Sequence, residues 1–208
     1  MELYQYDKRF RKAGHSIICG VDEAGRGPLA GPVFAAAVIM PDELVLEGLN
    51  DSKKLTESRR EILYDLIIAG TTYAIASSSV AEIEEHNILG ASLLAMRRAV
   101  EALSVKPDCA LIDGNRDPVL GLETALIVKG DAKSASIAAA SVLAKVARDR
   151  YMRELDKKYP KYGFARHSGY PTAAHYKSLD EYGPCPEHRS LFLRKWRAAG
   201  KEPNIVQN

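Results

Sequence analysis

The sequence predicts an α/β fold. Short apolar runs of the kind found in strands alternate with longer stretches in which apolar residues recur at helical spacing. The chain has 208 residues, of which 46% are hydrophobic and 27% are charged, so a good core is expected and disorder is not. One domain, or one domain with a small appendage, is therefore predicted.

The chain opens with a short amphipathic helix over residues 2–12, followed by two apolar runs, 17–21 and 33–40. A connection rich in Gly and Pro joins the runs, which predicts a pair of strands. Asp22 and Glu23 follow the first run directly. Two carboxylates beside apolar neighbours repel each other and favour their neutral forms, so a compensating charge such as a metal ion is expected. An acidic hairpin loop in solvent is the alternative interpretation.

The middle of the chain alternates between helices and strands. Thr56 is the predicted N-cap of a helix that Gly70 stops. Its predicted apolar face consists of Ile62, Leu63, Leu66 and Ile67. Residues 71–80 are rich in β-branched side chains and predict a strand, and Asn87 is expected to cap a further helix.

Two further apolar runs also lead into acids. Residues 109–112 are followed at once by Asp113, and residues 125–128 are followed closely by Asp131. Both runs have the composition of short buried strands. In α/β sheets the functional crevice lies outside the carboxyl ends of the strands. Three strands that each deliver an Asp therefore predict one shared acidic site.

The predicted ligands of this site are Asp22, Glu23, Asp113 and Asp131. All four are hard oxygen donors without a His or Cys among them, which favours magnesium or manganese over zinc. Two divalent ions about 3.5–4 Å apart are the usual arrangement for cleaving phosphodiesters. The glycines that follow Glu23 match neither GxGxxG nor a P-loop, so a nucleotide-binding loop of those types is excluded.

The last part of the chain is predicted to be helical. An alanine-rich helix over residues 134–159 ends at Pro160, and its small side chains permit close packing on the sheet. An irregular loop covers residues 162–171. Helices follow over residues 172–182 and 190–198, and the end of the chain is expected to fray.

Basic residues are concentrated in the same region. From residue 145 to residue 201 there are 14 Lys and Arg against 6 Asp and Glu, a net charge of +8, although the whole chain carries only +2. This asymmetry suits a metal-dependent enzyme that acts on a polyanion, and solvated helix faces are the alternative. The residues expected to line a phosphate backbone are Lys145, Arg148, Arg150 and Arg153.

Cysteine usage and hydropathy exclude several classes of protein. Cys19, Cys109 and Cys185 are odd in number, far apart and without a CxxC, so neither a disulfide framework nor a zinc site is expected. A reducing cytoplasm is favoured. Cys19 and Cys109 are expected to be small core residues. No apolar run approaches membrane-spanning length, and the N-terminal residues lack the apolar core of a signal peptide.

Six sequence blocks resemble those of one known family. In chain order they are VDEAGRGPLAGPV, NDSKKL, LIDGN, VKGD, SIAAASVLAKVARD and HSGYPT. They are similar to the signature blocks of the type 2 ribonucleases H, specifically bacterial ribonuclease HII. The resemblance implies a ribonuclease H-like fold, a five-stranded mixed sheet flanked by helices with a helical C-terminal portion. It also implies a catalytic domain over residues 1–160 and a helical extension over residues 161–208 packed on the same core.

The activity implied by the resemblance is endonucleolytic cleavage of RNA paired with DNA and of single ribonucleotides embedded in duplex DNA. The implied cofactor is Mn²⁺ or Mg²⁺, and the products carry 5′-phosphate and 3′-hydroxyl ends. The family's four catalytic acids map onto Asp22, Glu23, Asp113 and Asp131. A non-catalytic nucleic-acid-binding protein, or another nuclease on the same kind of sheet, remains the alternative.

The resemblance also implies residues that bind the substrate. The element that reads the ribose 2′-hydroxyl through its backbone maps onto Gly25, Arg26 and Gly27, and the junction-sensing tyrosine maps onto Tyr170. Arg26 pairing with Glu23 only to shape the turn, and Tyr170 filling a surface cleft, are the alternatives. The loop lysines expected either to contact phosphate or to be solvated are Lys53 and Lys54.

The expected partners are nucleic acids, and a cytoplasmic monomer without membrane contact is predicted. The segment before Ile17 is too short for the additional N-terminal domain of the related type 3 enzymes. The tail PNIVQN has no paired aromatics and does not resemble a sliding-clamp motif.

Overall fold

Five strands form one mixed sheet in the computed structural model, which describes residues 2–200. The strands are β1 (Ile18–Ala24), β2 (Val33–Ile39), β3 (Thr72–Ser78), β4 (Cys109–Asp113) and β5 (Glu123–Ile127). Their order is β3-β2-β1-β4-β5. The pairs β1–β2 and β2–β3 are antiparallel, whereas β1–β4 and β4–β5 are parallel. The predicted pairing of the first two strands is confirmed, and the carboxyl ends of β1, β4 and β5 lie at one edge of the sheet.

Helices cover both faces of this sheet. They are α1 (Glu2–Lys12), α2 (Glu57–Gly70), α3 (Val80–Glu101), α4 (Ala135–Lys158), α5 (Phe164–His167), α6 (Ala173–Tyr182) and α7 (Arg194–Ala198). Short 3₁₀ segments occupy Ser52–Lys54, Gly130–Ala132 and Ser190–Leu193. The mixed α/β architecture is the one predicted. Among residues 2–200, no helix is both long enough and apolar enough to cross a membrane.

The predicted helix caps are confirmed, with one correction. The Thr56 hydroxyl accepts a hydrogen bond from the backbone N–H of Arg59 at the start of α2. Asn87 accepts from the N–H groups of Leu89 and Gly90, but it lies at a kink inside α3 with φ of 57°. The helix itself begins earlier, after Ser79, which forms a reciprocal capping box with Glu82.

Helix α4 packs directly on the centre of the sheet. A Cβ added at Gly20 of β1 would lie 2.2 Å from the carbonyl carbon of Ser136, so the helix and strand backbones are nearly in contact. The alanines of the helix make this approach possible, as predicted. Asp7 of α1 reinforces the start of α4, because its carboxylate accepts from the N–H and the hydroxyl of Ser136 at 2.8 and 2.5 Å.

The predicted burial of α2 and β5 is partly wrong. Leu63 and Ile67 of α2 are buried as expected, but Ile62 and Leu66 are 51% and 46% exposed, because α2 uses only a narrow strip of its surface against α4. β5 was expected to be a buried strand. It is an edge strand, and its Leu126 is 43% exposed.

The C-terminal portion packs around the connection between β1 and β2, residues 25–32, called the glycine loop below. Ala30 of this loop lies in an apolar cluster with Met152 and Phe164, and Leu29 lies in a second cluster with Trp196. The predicted last helix is divided into a 3₁₀ segment and the short α7. The expected fraying of residues 202–208 lies outside the described residues.

Candidate active site

The structure brings the four predicted acids together at the edge of the sheet. Asp22 and Glu23 lie in β1, and Asp113 is the last residue of β4, the strand that pairs in parallel with β1. Asp131 lies in the 3₁₀ segment just after β5. That segment is tied to β4, because the N–H of Gly130 donates to Asp113 Oδ1 at 2.6 Å.

The four carboxylates influence one another strongly. Asp22 is only 4% exposed, and burial, followed by the charges of Glu23 and Asp113, raises its pKa well above the ordinary value. Burial, together with the charge of Asp113, also raises the pKa of Asp131. Burial raises the pKa of Glu23, although Arg26 opposes the shift. The acids therefore do not form a solvated hairpin loop, and that alternative is wrong.

Two cations lie beside the acids. Arg26 Nη1 is 3.3 Å from Glu23 Oε1, so the expected pairing of these two residues is present. Lys53 Nζ is 3.7 Å from Asp131 Oδ2, and the lysine side chain is 80% exposed. Burial alone would lower the pKa of Lys53, but the charges of Asp22 and Asp131 outweigh it and raise the pKa. Lys54, the next residue, is also exposed.

The chemistry of the donor set fits a hard divalent cation. All four side chains offer carboxylate oxygens, and the raised pKa values of Asp22, Glu23 and Asp131 indicate that the protein compensates their charge poorly. Among residues 2–200, no three His, Cys, Asp or Glu side chains are already closed around one point as a metal cage. Asp22, Glu23, Asp113 and Asp131 are thus a cluster of ligands at one edge, held by separate strands.

The glycine loop places its glycines in two different environments. Gly25 has φ of 104°, and a Cβ there would lie 2.2 Å from Arg148 Nε. Gly27 has no such strain, and a Cβ there would lie 3.5 Å from Cε1 of Tyr170. The ring of Tyr170 is 41% exposed. The structure therefore brings Gly27 and Tyr170 together, although they are far apart in the sequence.

Two buried arginines hold the glycine loop through its carbonyl groups. Arg189 donates to the carbonyl oxygens of Gly25, Gly31 and Pro28 at 2.7, 2.8 and 2.9 Å. Arg148 donates to the carbonyl oxygens of Pro32, Ala30 and Ser168 at 3.0 to 3.1 Å. Burial lowers the pKa of Arg148 to about 10 and that of Arg189 to about 9.

The role of Arg189 is not evident from the sequence, and Arg148 differs from its predicted role. Arg148 is 1% exposed, so the prediction that it lines a phosphate backbone is wrong. A loop rich in Gly and Pro leaves many carbonyls without helix or sheet partners, and those carbonyls need donors from elsewhere. That need was the available signal, but it does not indicate which residue supplies the donor.

The other cations predicted on α4 are engaged within the protein. Arg150 pairs with Glu61, and Arg153 pairs with both Glu57 and Glu61 of α2. Lys145 Nζ lies 2.7 Å from Asp149 Oδ1. The pairs of Arg150 and Arg153 join α2 to α4, whereas the pair of Lys145 lies within α4, so the contact of these three side chains with a phosphate backbone stays a prediction. Among residues 161–200, the exposed basic residues are Lys161, Arg166, Lys177, Arg194, Lys195 and Arg197.

The three cysteines are free thiols, as expected. Cys19 and Cys109 are fully buried, on β1 and β4, and Cys185 is partly buried. Burial raises the pKa of Cys19 to about 12 and that of Cys109 to about 11. The expectation that Cys19 and Cys109 are small core residues is confirmed.

A mixed five-stranded sheet with four acids at one edge is the arrangement expected of a metal-dependent hydrolase of phosphodiester bonds. The family model for ribonuclease HII matches residues 19–199. The chain therefore belongs to the ribonuclease HII family, as the sequence blocks indicate. It is an endonuclease of the ribonuclease H class and acts on RNA–DNA hybrids, and enzymes of this class depend on divalent metal ions.

Individual relatives agree with the family assignment. Ribonuclease HII from Acetivibrio thermocellus is 51% identical over 199 residues, which cover 94% of this chain and 77% of that protein. Among solved structures, the ribonuclease H2 from Pyrococcus horikoshii OT3 has a TM-score of 0.72 at 28% identity, covering 88% of this chain and 98% of that one. Bst-RNase HIII in complex with Mn²⁺ shares the fold, with a TM-score of 0.58 at 17% identity, over 78% of this chain and 69% of that chain.

Proposed function

We propose that the chain cleaves the RNA strand of RNA–DNA hybrids and also nicks duplex DNA on the 5′ side of a single embedded ribonucleotide. The products would carry 5′-phosphate and 3′-hydroxyl ends. The observation that carries the proposal is the continuity of two features, because the acids at Asp22 and Glu23 lead directly into the loop in which Gly27 faces Tyr170. The acids suit many nucleases, whereas the second feature offers a contact for ribose.

The proposed ligands of Mn²⁺ or Mg²⁺ are Asp22, Glu23, Asp113 and Asp131. When bound, divalent ions would activate the attacking water and stabilise the leaving oxygen. The protein contributes these carboxylates at or just after the ends of three strands. The Gly130 N–H donates a hydrogen bond to Asp113 and so fixes the orientation of that carboxylate. Because the pKa values of Asp22 and Asp131 are raised, metal binding would release protons and weaken as the pH falls.

Lys53 would act between the metal ligands and the substrate. Its ammonium group is 3.7 Å from Asp131 and most of its side chain is exposed, so the same group can reach a phosphate that approaches the acids. A point charge of this kind neutralises the scissile phosphate without fixing its orientation. Lys54 is proposed to contact a neighbouring phosphate, and the exposure of its side chain supports that assignment.

Recognition of ribose is proposed to fall to Gly25, Arg26, Gly27 and Tyr170. The 2′-hydroxyl both donates and accepts hydrogen bonds, and it is the group that distinguishes RNA from DNA. The Gly27 backbone can approach it because no Cβ intervenes. The exposed ring of Tyr170 beside Gly27 supports stacking on the adjoining sugar, with its hydroxyl group available for a hydrogen bond.

The exposed basic side chains of the C-terminal portion are proposed to supply affinity without selectivity, whereas Tyr170 in the same portion is assigned to recognition of ribose. We assign residues 1–160 to the catalytic domain and residues 161–208 to an extension packed on the same core, in a monomer. A cytoplasmic location is also proposed, and the free thiols of Cys19 and Cys109 support a reducing compartment. The exposed side chains on α7 would contact phosphates. Replacing Arg194, Lys195 and Arg197 together should then flatten the salt dependence of binding for every duplex alike.

The experiment that tests the proposal is a cleavage assay on three duplexes. They are DNA with one ribonucleotide, a continuous RNA–DNA hybrid and all-DNA, each with Mn²⁺, Mg²⁺ or a chelator. We expect cleavage of the first two duplexes when Mn²⁺ or Mg²⁺ is present and not with the chelator. The product should carry a 5′-phosphate at the ribonucleotide. Asp113→Asn, which keeps the side-chain shape but removes the charge, is the matched inactive variant. Nicking of all-DNA at a similar rate would contradict the proposal.

A further inference from the structure

The backbone of Tyr170 is held more firmly than its exposed ring would suggest. Its N–H donates to the carbonyl of His167 at 2.8 Å, and its carbonyl accepts from Thr172 N–H at 2.8 Å. The same carbonyl lies 2.9 Å from Nδ1 of His175. Tyr170 therefore presents its ring to solvent from a segment that is tied down on its inner side.

The protonation of His188 and His175 follows from their neighbours. The N–H of Cys185 donates to His188 Nδ1 at 3.0 Å, and since an amide can only donate, that nitrogen carries no proton. Neutral His188 is then protonated on Nε2, which lies 3.0 Å from His175 Nε2. His175 must accept there, so its own proton is on Nδ1 and is donated to the Tyr170 carbonyl.

The two histidines form a directed chain of hydrogen bonds from one backbone amide to one backbone carbonyl. His175 is fully buried and His188 is 6% exposed. Burial lowers the pKa of His175 to about 4 and that of His188 to about 3, so both rings are neutral at neutral pH. The ring of His167 stacks on His175 with centroids 4.5 Å apart, which leaves the buried ring little freedom to rotate.

This chain also connects the segment of Tyr170 to the glycine loop. The carbonyl of Gly169 accepts from Leu29 N–H at 2.8 Å, and the carbonyl of Leu29 accepts from Arg189 N–H at 2.8 Å. His188 itself forms an isolated β-bridge with Ala30. The histidine pair thus lies where the Tyr170 segment, the glycine loop and residues 185–189 meet.

We propose that His175 and His188 are positioning residues that set the placement of the Tyr170 ring against Gly27, and with it the preference for a single ribonucleotide. The inference rests on the proposed function, in which Tyr170 senses the ribonucleotide junction. A histidine pair that served only as core packing would affect every substrate equally. A pair that positions Tyr170 affects the single-ribonucleotide duplex most.

The first test reads the tautomers directly and needs no activity. In ¹⁵N-labelled protein near pH 7, two-bond nitrogen–proton couplings of the imidazoles distinguish the tautomers. His175 is expected with its proton on Nδ1 and His188 with its proton on Nε2, each as a single form. His175 protonated on Nε2, or in exchange between both forms, would overturn the proposal.

The second test compares kcat and KM on the single-ribonucleotide duplex and on the continuous hybrid. His175→Leu removes the donor to Tyr170, and its kcat/KM on the first duplex is expected to fall about tenfold, as for loss of one buried hydrogen bond, with a much smaller loss on the hybrid. His175→Asn places an amide N–H where Nδ1 was and should restore most of the ratio. Leu179→Ala, a buried change in the same helix whose side chain clusters with Leu193 and Trp196, controls for destabilisation.

Separate outcomes identify which idea fails. If Tyr170→Ala changes the ratio of the two substrates and His175→Leu does not, the positioning role is overturned while the role of Tyr170 stands. If Tyr170→Ala leaves the ratio unchanged, the proposed role of Tyr170 fails and the positioning role fails with it. Should His175→Leu not fold, His188→Asn replaces it, because Asn keeps an acceptor for Cys185 N–H but loses the donor to His175. An unchanged ratio in that variant would equally overturn the proposal.

Discussion

Gly27→Ala is expected to separate substrate recognition from folding. A Cβ at Gly27 would meet only Cε1 of Tyr170, at the ordinary contact distance of 3.5 Å, and Gly27 is not in a conformation that favours glycine. Gly→Ala at such a site stabilises a protein by about 0.4–1 kcal/mol through the unfolded chain. For a chain of this size that corresponds to a rise in Tm of about 1–4 °C.

Activity should change in the opposite direction. The added methyl group would stand between the Gly27 backbone and a ribose 2′-hydroxyl, and displacing a reacting group by about 1 Å costs up to about 100-fold in rate. We therefore expect kcat/KM to fall by about tenfold or more on both ribose-containing duplexes while the Tm is kept. Calorimetry and the cleavage assay on the same preparation measure the two effects.

Gly25→Ala is the matched contrast. Its φ of 104° is strained for alanine, and the Cβ would lie 2.2 Å from Arg148 Nε, a buried group that holds three carbonyls. Strain of about 1–3 kcal/mol plus this overlap should destabilise the fold by about 3 kcal/mol or more. Full activity in Gly27→Ala, or a loss of stability similar to that of Gly25→Ala, would refute the reasoning.

Three further predictions concern charge and burial. Asp22→Asn should raise the Tm of metal-free protein, because it removes a buried charge that Glu23 and Asp113 repel, and should abolish cleavage; a lower Tm would contradict this. Arg189→Met should cost several kcal/mol in chemical denaturation, about 1–3 kcal/mol for each carbonyl that loses its donor, whereas the exposed control Arg194→Met should stay within about 0.5 kcal/mol. The pKa values of His175 and His188 are lowered in the folded protein, so below about pH 6.5 the unfolded chain binds more protons than the folded chain does. The stability that these residues give above pH 6.5 should therefore be lost as the pH falls towards 4. The loss should be shallower in His188→Asn, and an identical pH profile of Tm would count against this explanation.

Local patterns predicted the elements that depend on local physics. The pair β1 and β2, the caps at Thr56 and Asn87, and the alanine-rich α4 follow from periodicity, turn residues and side chains that satisfy helix ends. The clustering of the acids follows from a rule of the same kind, since parallel strands put their carboxyl ends at one edge. The family resemblance supplied the strand count and the roles of the substrate-binding residues.

What escaped prediction depends on contacts between distant segments. Leu66 has the same chemistry as the buried Leu63, and only the width of the contact with α4 leaves it 46% exposed. Arg148 and Arg150 are two positions apart on one helix, yet the first lies under the glycine loop and the second pairs with Glu61 on the surface. A pattern of basic residues indicates charge, but burial decides which of them can reach a ligand.

The hydrogen bonds of Arg189 have a consequence for synthesis on the ribosome. They join residues 158 and 164 positions apart, so Gly31 and Gly25 receive these partners only after nearly the whole chain has been made. β1, β2 and α4 can assemble earlier, because their contacts need no residue beyond 158. A nascent chain would therefore possess its acids in a formed sheet while its glycine loop still lacked its last supports. A chain that stops before Arg189 would therefore lack the donors to Gly25 and Gly31 in the loop proposed to recognise ribose.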